Sequence, residues 1–324
     1  MINDFHQITW NDRLREDWAA ILRLAMAEDF GAAGDLTSNA LVPEDAIGRA
    51  AVVARRPGVV AGLPAVEMTL QAVDRGLHWS PQCEDGRPVA ARQCVGTIEG
   101  PARGLLAAER IVLNVLGRLS GIATLTRRYV DAVAGAPARI YDTRKTTPGW
   151  RRLEKYAVRC GGGRNHRGGL DEAVLIKDNH LALGAQTAAG FTPAEAVQIA
   201  RQFIDRNVSR RGVIVEIEVD TLEQFDALLR TKGVGSLCAA KGSAPCVPDA
   251  PFLPDIVLLD NMTPDELREA VTRRNAADAG FELEASGGVD LTTVRAIAES
   301  GVERISVGAL THSVVTLDFG LDWQ

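Results

Sequence analysis

The chain has 324 residues, 46% of them hydrophobic, with 36 Lys and Arg against 42 Asp and Glu and a formal net charge of −6. That length and apolar fraction accommodate one barrel-sized domain plus a smaller one, while the acidic balance argues against general nucleic-acid binding, which favours basic charge over a whole domain. Five cysteines (Cys83, Cys94, Cys160, Cys238, Cys246) form no CxxC pair, the N-terminus has no signal-peptide pattern, and no run of about 18 apolar residues occurs; disulfide, zinc and membrane readings are therefore disfavoured and a soluble cytoplasmic protein is expected.

In chain order, Leu14, Trp18, Ile21, Leu22 and Ala25 fall at helical spacing and the pattern stops at Phe30-Gly31. Arg49 to Arg55 and Gly58 to Gly62 read as short strands split by Pro57, Pro64 to Val73 as a helix, and Ala91 to Glu99 as a strand. Leu105 to Val133 is the strongest helical signal, with a break expected at Ser120-Gly121. Glu109 and Arg110 interrupt its apolar face, and on the residues alone Arg110 reads as a stem along a solvated surface. The first hundred residues thus read as a small mixed α/β layer, with the long helix closing a first domain over 1–134.

From residue 135 onward, short apolar runs alternate with helical segments: 139–141, 173–176, 213–219, 256–259, 281–285 and 304–307. Such runs imply a buried parallel sheet, with a barrel as its natural closure. In nearly every unit the strand's C-terminal end is polar (Asp142 and Arg144, Lys177, Glu218, Asp260, Ser286), and barrel active sites sit on that face. Thr231 to Pro254, rich in Gly, Ser, Ala and Pro, reads as a surface insertion in which Cys238 and Cys246 are incidental.

Basic charge is concentrated in Arg139 to His180, which holds ten Lys and Arg against five acids; the segment carries +5 and the remainder −11. A local, small polyanionic ligand explains this better than nucleic acid. Arg144, Lys145, Arg167 and Lys177, with His166, make the cationic half of the expected site, Arg suited to carboxylates and Lys to pyrophosphate oxygens. For His166 and His180 a hydrogen-bonded structural role is an equal reading. Glu218 and Asp260 form the acidic half, able to hold sugar hydroxyls or Mg²⁺. Glu216 shares the strand phase of Glu218, so periodicity leaves open which reaches the ligand. The small-residue loops Glu284 to Gly288 and Ser306 to Leu310 would admit a phosphate. Together these features suggest transfer of a phosphorylated sugar.

The runs Asp142 to Gly149 (DTRKTTPG), Leu153 to Gly163, Asn165-His166-Arg167, Leu175 to His180 (LIKDNH), Leu258 to Asn261, Glu284 to Gly288 (EASGG) and Ile305 to Thr311 resemble the quinolinate phosphoribosyltransferase family. The similarity covers nearly the whole chain; the long 231–254 insertion and Trp150 depart from the family's pattern. The resemblance implies an N-terminal α/β sandwich and an incomplete, seven-stranded α/β barrel over 135–324, whose C-terminal tail returns to the first domain. It further implies a homodimer with shared sites, dimer or hexamer being left open, and Mg²⁺ as cofactor. The implied reaction joins quinolinate to phosphoribosyl pyrophosphate, giving nicotinate mononucleotide, pyrophosphate and CO₂ in NAD synthesis. By the same likeness Thr143, Arg144, His166, Arg167 and Lys177 bind substrate, Arg110 reaches quinolinate from the other subunit, and Lys145 meets pyrophosphate. Glu218 and Asp260 would meet ribose and metal, and Ser286, Gly287, Gly288 and Gly308 the 5′-phosphate. Competing readings are the paralogue linked to molybdenum transport, which departs around LIKDNH, and a non-catalytic anion-binding module, which would be expected to lose Lys145, Glu218 or Asp260.

Overall fold

A computed structural model describes residues 4–184, 190–230 and 253–324. All but the last two residues of the expected 231–254 insertion lie outside the described residues. Two compact units divide the chain: a sandwich unit of Gln7–Asp131, Asp142–Asn165 and Gly308–Gln324, and a barrel unit of Met1–His6, Ala132–Tyr141 and His166–Val307.

The first segment of the chain runs α1 (Asp12–Phe30), α2 (Leu36–Leu41), β1 (Ile47–Ala54), β2 (Gly58–Val59), α3 (Leu63–Val73), β3 (His78–Pro81), β4 (Pro88–Val89), β5 (Cys94–Pro101) and α4 (Ala102–Ala132). Asn11 caps α1, its side chain accepting from the Leu14 N–H. The principal sheet of the sandwich unit has the order β12-β1-β5-β3, where β12 is Phe319–Trp323 from the end of the chain. Strand β1 is central and antiparallel to both neighbours, with Ala50 facing Trp323 and Ile98. Its buried residues Ala50, Val52 and Ala54 join Val95 and Ile98 of β5, Val66 and Leu70 of α3, and Leu105, Val112 and Leu116 of α4 in one core.

Helix α4 is continuous through Ser120-Gly121, where a break was expected. The buried Ser120 hydroxyl accepts from the Ala61 N–H at 3.0 Å. A Cβ on Gly117 would lie 2.8 Å from the Leu317 carbonyl oxygen, and one on Gly121 2.5 Å from that of Val315. The glycines therefore serve close approach of the C-terminal segment, which outweighs their helix-propensity cost of about 1 kcal/mol each.

The barrel unit uses β6 (Arg139–Tyr141), β7 (Val174–Ile176), β8 (Val215–Val219), β9 (Ile256–Asp260), β10 (Glu282–Ser286) and β11 (Arg304–Ser306), all parallel, in the order β6-β11-β10-β9-β8-β7. This is the cyclic order of an α/β barrel left open between β6 and β7, with six strands among the described residues where seven were expected. In chain order between those strands stands a single bridge at Arg164, whose carbonyl accepts from the Asp142 N–H at 3.0 Å. The flanking Gly161-Gly162-Gly163 and Asn165-His166-Arg167 offer no apolar run to extend it.

The intervening helices are α5 (Arg151–Cys160, in the sandwich unit), α6 (Asp178–Gly184), α7 (Pro193–Asn207), α8 (Leu222–Arg230), α9 (Pro264–Ala276) and α10 (Val294–Ala298), with α11 (Ala309–His312) after β11. Both α7 and α9 begin with a Thr-Pro-x-Glu capping box. At the N-terminal ends of the strands, Arg304 is 1% exposed, lies over the Tyr141 and Phe5 rings at 4.6 and 5.5 Å, and pairs with Glu282 and Asp4. No described helix is long and apolar enough to cross a membrane.

Candidate active site

In the barrel unit the polar residues fall into two levels. The lower holds His166, Glu216 and Glu284, all buried. His166 Nδ1 accepts from the Arg167 N–H at 2.8 Å, which leaves the proton on Nε2, 2.9 Å from a Glu216 oxygen and 3.6 Å from a Glu284 oxygen. The Phe5 ring packs on the imidazole with centroids 4.2 Å apart. Burial pushes the Glu216 carboxyl up to about 8, held back by the charges of Arg304, Arg167 and Lys177. Glu284 rises to about 7 through burial and then through Glu216 beside it. Burial therefore favours the protonated form of these carboxyls, and the Arg167 N–H fixes the histidine tautomer.

The upper level, at the C-terminal strand ends, holds Lys177, Glu218 and Asp260. Lys177, immediately after β7, is paired with Glu218 of β8, and its N–H donates to His180 Nδ1 at 2.9 Å. Carboxylate oxygens of Glu218, Asp220 and Asp260 all lie within 4.8 Å of one another. Glu218, half-buried like Asp260, thus belongs to this level, and Glu216 is the one turned to the histidine. The strand phase is the same; the depth differs.

Ser286 pairs in register with Asp260, and the Gly287-Gly288 turn that follows has φ of 88° and 60°. A Cβ on Gly287 would lie 2.1 Å from Asn261 Oδ1, whereas Gly288 has no neighbour within 4 Å. Asn261, itself at φ 54°, donates from Nδ2 to Asp260 Oδ2 at 2.6 Å. The two strand ends interlock here, and only glycine fits at 287.

The sandwich unit holds Thr143, Arg144, Lys145 and Gly308. The Thr143 hydroxyl accepts from the Lys145 N–H at 3.0 Å, and the exposed Lys145 stem lies so close to Gly308 that a Cβ there would be 2.9 Å from Lys145 Cδ. A cleft of about 530 Å³ is lined by Arg118, Lys145, Thr146, Thr147, Thr311 and His312. Arg110 stands apart on α4, exposed. Asp142, expected at the rim, is instead fully buried, paired with the buried Lys155 and accepting from Asn165 Nδ2 at 2.7 Å. Two charges of the basic segment therefore neutralise each other inside the fold.

Sequence reasoning passed over Asp220, Glu284 and Arg118. Asp220 was within reach, because Glu216, Glu218 and Asp220 share one strand phase. Glu284 stood inside the quoted EASGG run, but nothing local told that it turns toward a histidine. Arg118 lies within an apolar helix and gave no comparable signal.

An incomplete parallel α/β barrel with carboxylates and a lysine at its C-terminal strand ends, followed by glycine turns, defines an enzyme of the phosphate-handling barrel class. Models of the quinolinate phosphoribosyl transferase N-terminal and C-terminal domains match residues 35–120 and 122–322. The chain belongs to the quinolinate phosphoribosyltransferase family. It is 40% identical over 303 residues to the nicotinate-nucleotide pyrophosphorylase [carboxylating] of Mycobacterium leprae (strain TN), covering 93% of this chain and 95% of that one. It is 38% identical over 316 residues to the chloroplastic protein of that name from Oryza sativa subsp. japonica, covering 94% and 77%. The solved nicotinate-nucleotide pyrophosphorylase of Francisella tularensis superposes with a TM-score of 0.82 at 32% identity, over 99% of this chain and 100% of that one.

Proposed function

We propose that the protein transfers the phosphoribosyl group of phosphoribosyl pyrophosphate to quinolinate with decarboxylation, forming nicotinate mononucleotide, pyrophosphate and CO₂ for NAD synthesis. Family membership over nearly the whole chain supports this reaction, and the observation that carries it is the Lys177, Glu218, Asp220 and Asp260 group at the strand ends. The quinolinate nitrogen attacks the anomeric carbon as its bond to pyrophosphate breaks. Positive character then develops on the sugar, which the carboxylates of Glu218 and Asp260 offset. Lys145 and the glycine turns take the anionic ends, Lys145 the pyrophosphate, and Ser286, Gly287, Gly288 and Gly308 the 5′-phosphate. Arg144, His166, Arg167 and Lys177 hold quinolinate, with Thr143 in the same binding run.

Once the nitrogen is bonded to ribose the ring is a pyridinium. The electron pair of the bond to the departing carboxylate stays on the adjacent ring carbon, stabilised by that positive nitrogen, and a proton then replaces CO₂. The residues named need only orient the ring and keep proton donors away until CO₂ has left. A cluster of hard carboxylate oxygens fits Mg²⁺, which Glu218 and Asp260, with Asp220, would hold. Bound there, the ion would offset charge on the leaving pyrophosphate.

The working assembly proposed is a homodimer with shared sites, in which the exposed Arg110 reaches quinolinate bound to the other subunit; a cytoplasmic setting is supported by cysteine usage, Cys83, Cys94 and Cys160 being free thiols. The test follows labelled CO₂ from carboxyl-labelled quinolinate. Release is expected only with phosphoribosyl pyrophosphate and Mg²⁺ both present. Nicotinate should be a poor substrate, because a site for two carboxylates leaves charge unpaired when one is missing, at about 2–5 kcal/mol. Comparable turnover of nicotinate would overturn the reading.

A further inference from the structure

Four segments of the sandwich unit meet at one nitrogen of Arg118. From α4, Arg118 Nη2 donates to Glu154 Oε1 of α5 and to the Thr311 carbonyl, each at 2.7 Å, with the Thr147 hydroxyl at 3.5 Å. Glu154 is fully buried, and its carboxylate also accepts from the Thr147 N–H at 3.1 Å and the Thr147 hydroxyl at 2.8 Å. The Thr311 hydroxyl in turn donates to the Lys145 carbonyl at 2.7 Å. The ion pair therefore ties both ends of the Lys145–Thr147 segment, one through Glu154's acceptance from Thr147 and the other through Thr311, to the turn that begins at Gly308.

 Removing a charge here would leave the buried Glu154 carboxylate uncompensated or the Thr147 donors unmet.

We propose that Arg118 and Glu154 are positioning residues for phosphoribosyl pyrophosphate: they set the position of Lys145 against Gly308 and so govern binding of that substrate and of pyrophosphate, but not of quinolinate. The inference rests on the reading above that gives Lys145 the pyrophosphate and Gly308 the 5′-phosphate. Neither Arg118 nor Glu154 is needed as a ligand to substrate, since the pair neutralises itself. Its effect passes through the backbone at Lys145 and Thr147 and through the turn at Gly308.

The test compares Arg118→Met, Arg118→Lys and Glu154→Gln with the wild type, measuring kcat, KM for each substrate, inhibition by pyrophosphate, and thermal melting. The expected result is a rise of about tenfold in KM for phosphoribosyl pyrophosphate and in the pyrophosphate inhibition constant, with KM for quinolinate within about twofold. Arg118→Lys, which keeps the charge but not the fork, should recover part of the loss. Should Arg118→Met fail to fold, Arg118→Lys and Glu154→Gln carry the comparison, with a rise of about threefold or more expected in each. Equal changes in both KM values, or lower melting with both unchanged, would overturn the inference while leaving an active wild type's function intact. A wild type without substrate-dependent CO₂ release would overturn the functional reading and this inference with it.

Discussion

Two glutamates buried beside one histidine make the barrel unit sensitive to pH. Glu216 and Glu284 are raised from the ordinary value of 4.5 to about 8 and about 7, both chiefly by burial. Below about pH 4.5 folded and unfolded chains both hold these protons, and the favourable contribution is complete. As pH rises, the unfolded chain releases them first, so the folded state loses stability progressively up to about pH 8. The positive charges of Arg304, Arg167 and Lys177 around the pair moderate this decline, while Glu218 adds to it. Glu284→Gln keeps the shape and removes one titrating group, so its melting temperature should fall less steeply between pH 5 and about 8.5 than that of the wild type. Parallel curves would show that Glu284 does not store the proton. At this scale the sequence told residue type and strand phase but not depth. Glu216 and Glu218 were indistinguishable by phase, and Asp142 read as a rim residue and Lys155 as one more charge of the basic segment, although each is buried against the other.

At the scale of elements, the barrel strands were legible because each is a short apolar run with a polar end, and β6 to β11 all fall within a few residues of the expected positions. The break assigned to Ser120-Gly121 was not real, because glycine's low helix propensity says nothing about what packs on it. In an exposed helix Gly→Ala stabilises by about 1 kcal/mol. Here the added Cβ of Gly121→Ala would sit 2.5 Å from the Val315 carbonyl oxygen and 3.0 Å from Val314 Cγ1. Backbone cannot yield as a side chain tip would, so the substitution should destabilise by about 1–3 kcal/mol. Denaturant or thermal unfolding reads the sign directly. A stabilised variant would mean that the 314–316 segment does not press on the helix. The pairing of β1 with β12 is a second case of non-local packing: local periodicity marks a strand, but its distant neighbour is fixed by the tertiary fold.

At the scale of the whole molecule, the exposed Arg110 poses the remaining question of subunit organisation. It projects from a helix whose other face forms the sandwich core, and Glu109 is no same-face partner because such neighbours are three or four residues apart. A guanidinium in water needs no explanation by itself. If, as proposed, it reaches quinolinate bound to the other subunit, each site takes its arginine from one chain and its lysine from the other. Arg110→Ala and Lys145→Ala homodimers would then both be inactive, for defects of different origin. In a hybrid dimer the two defects fall together in one site and leave the other whole. Mixed in equal amounts with free subunit exchange, half the dimers are hybrids and each has one working site of two, so activity should return to about a quarter of wild type. Folding of both variants and formation of hybrids are checked first, by melting and by separating differently tagged chains. With hybrids present and no activity regained, Arg110 would belong to its own subunit's site or to the scaffold alone.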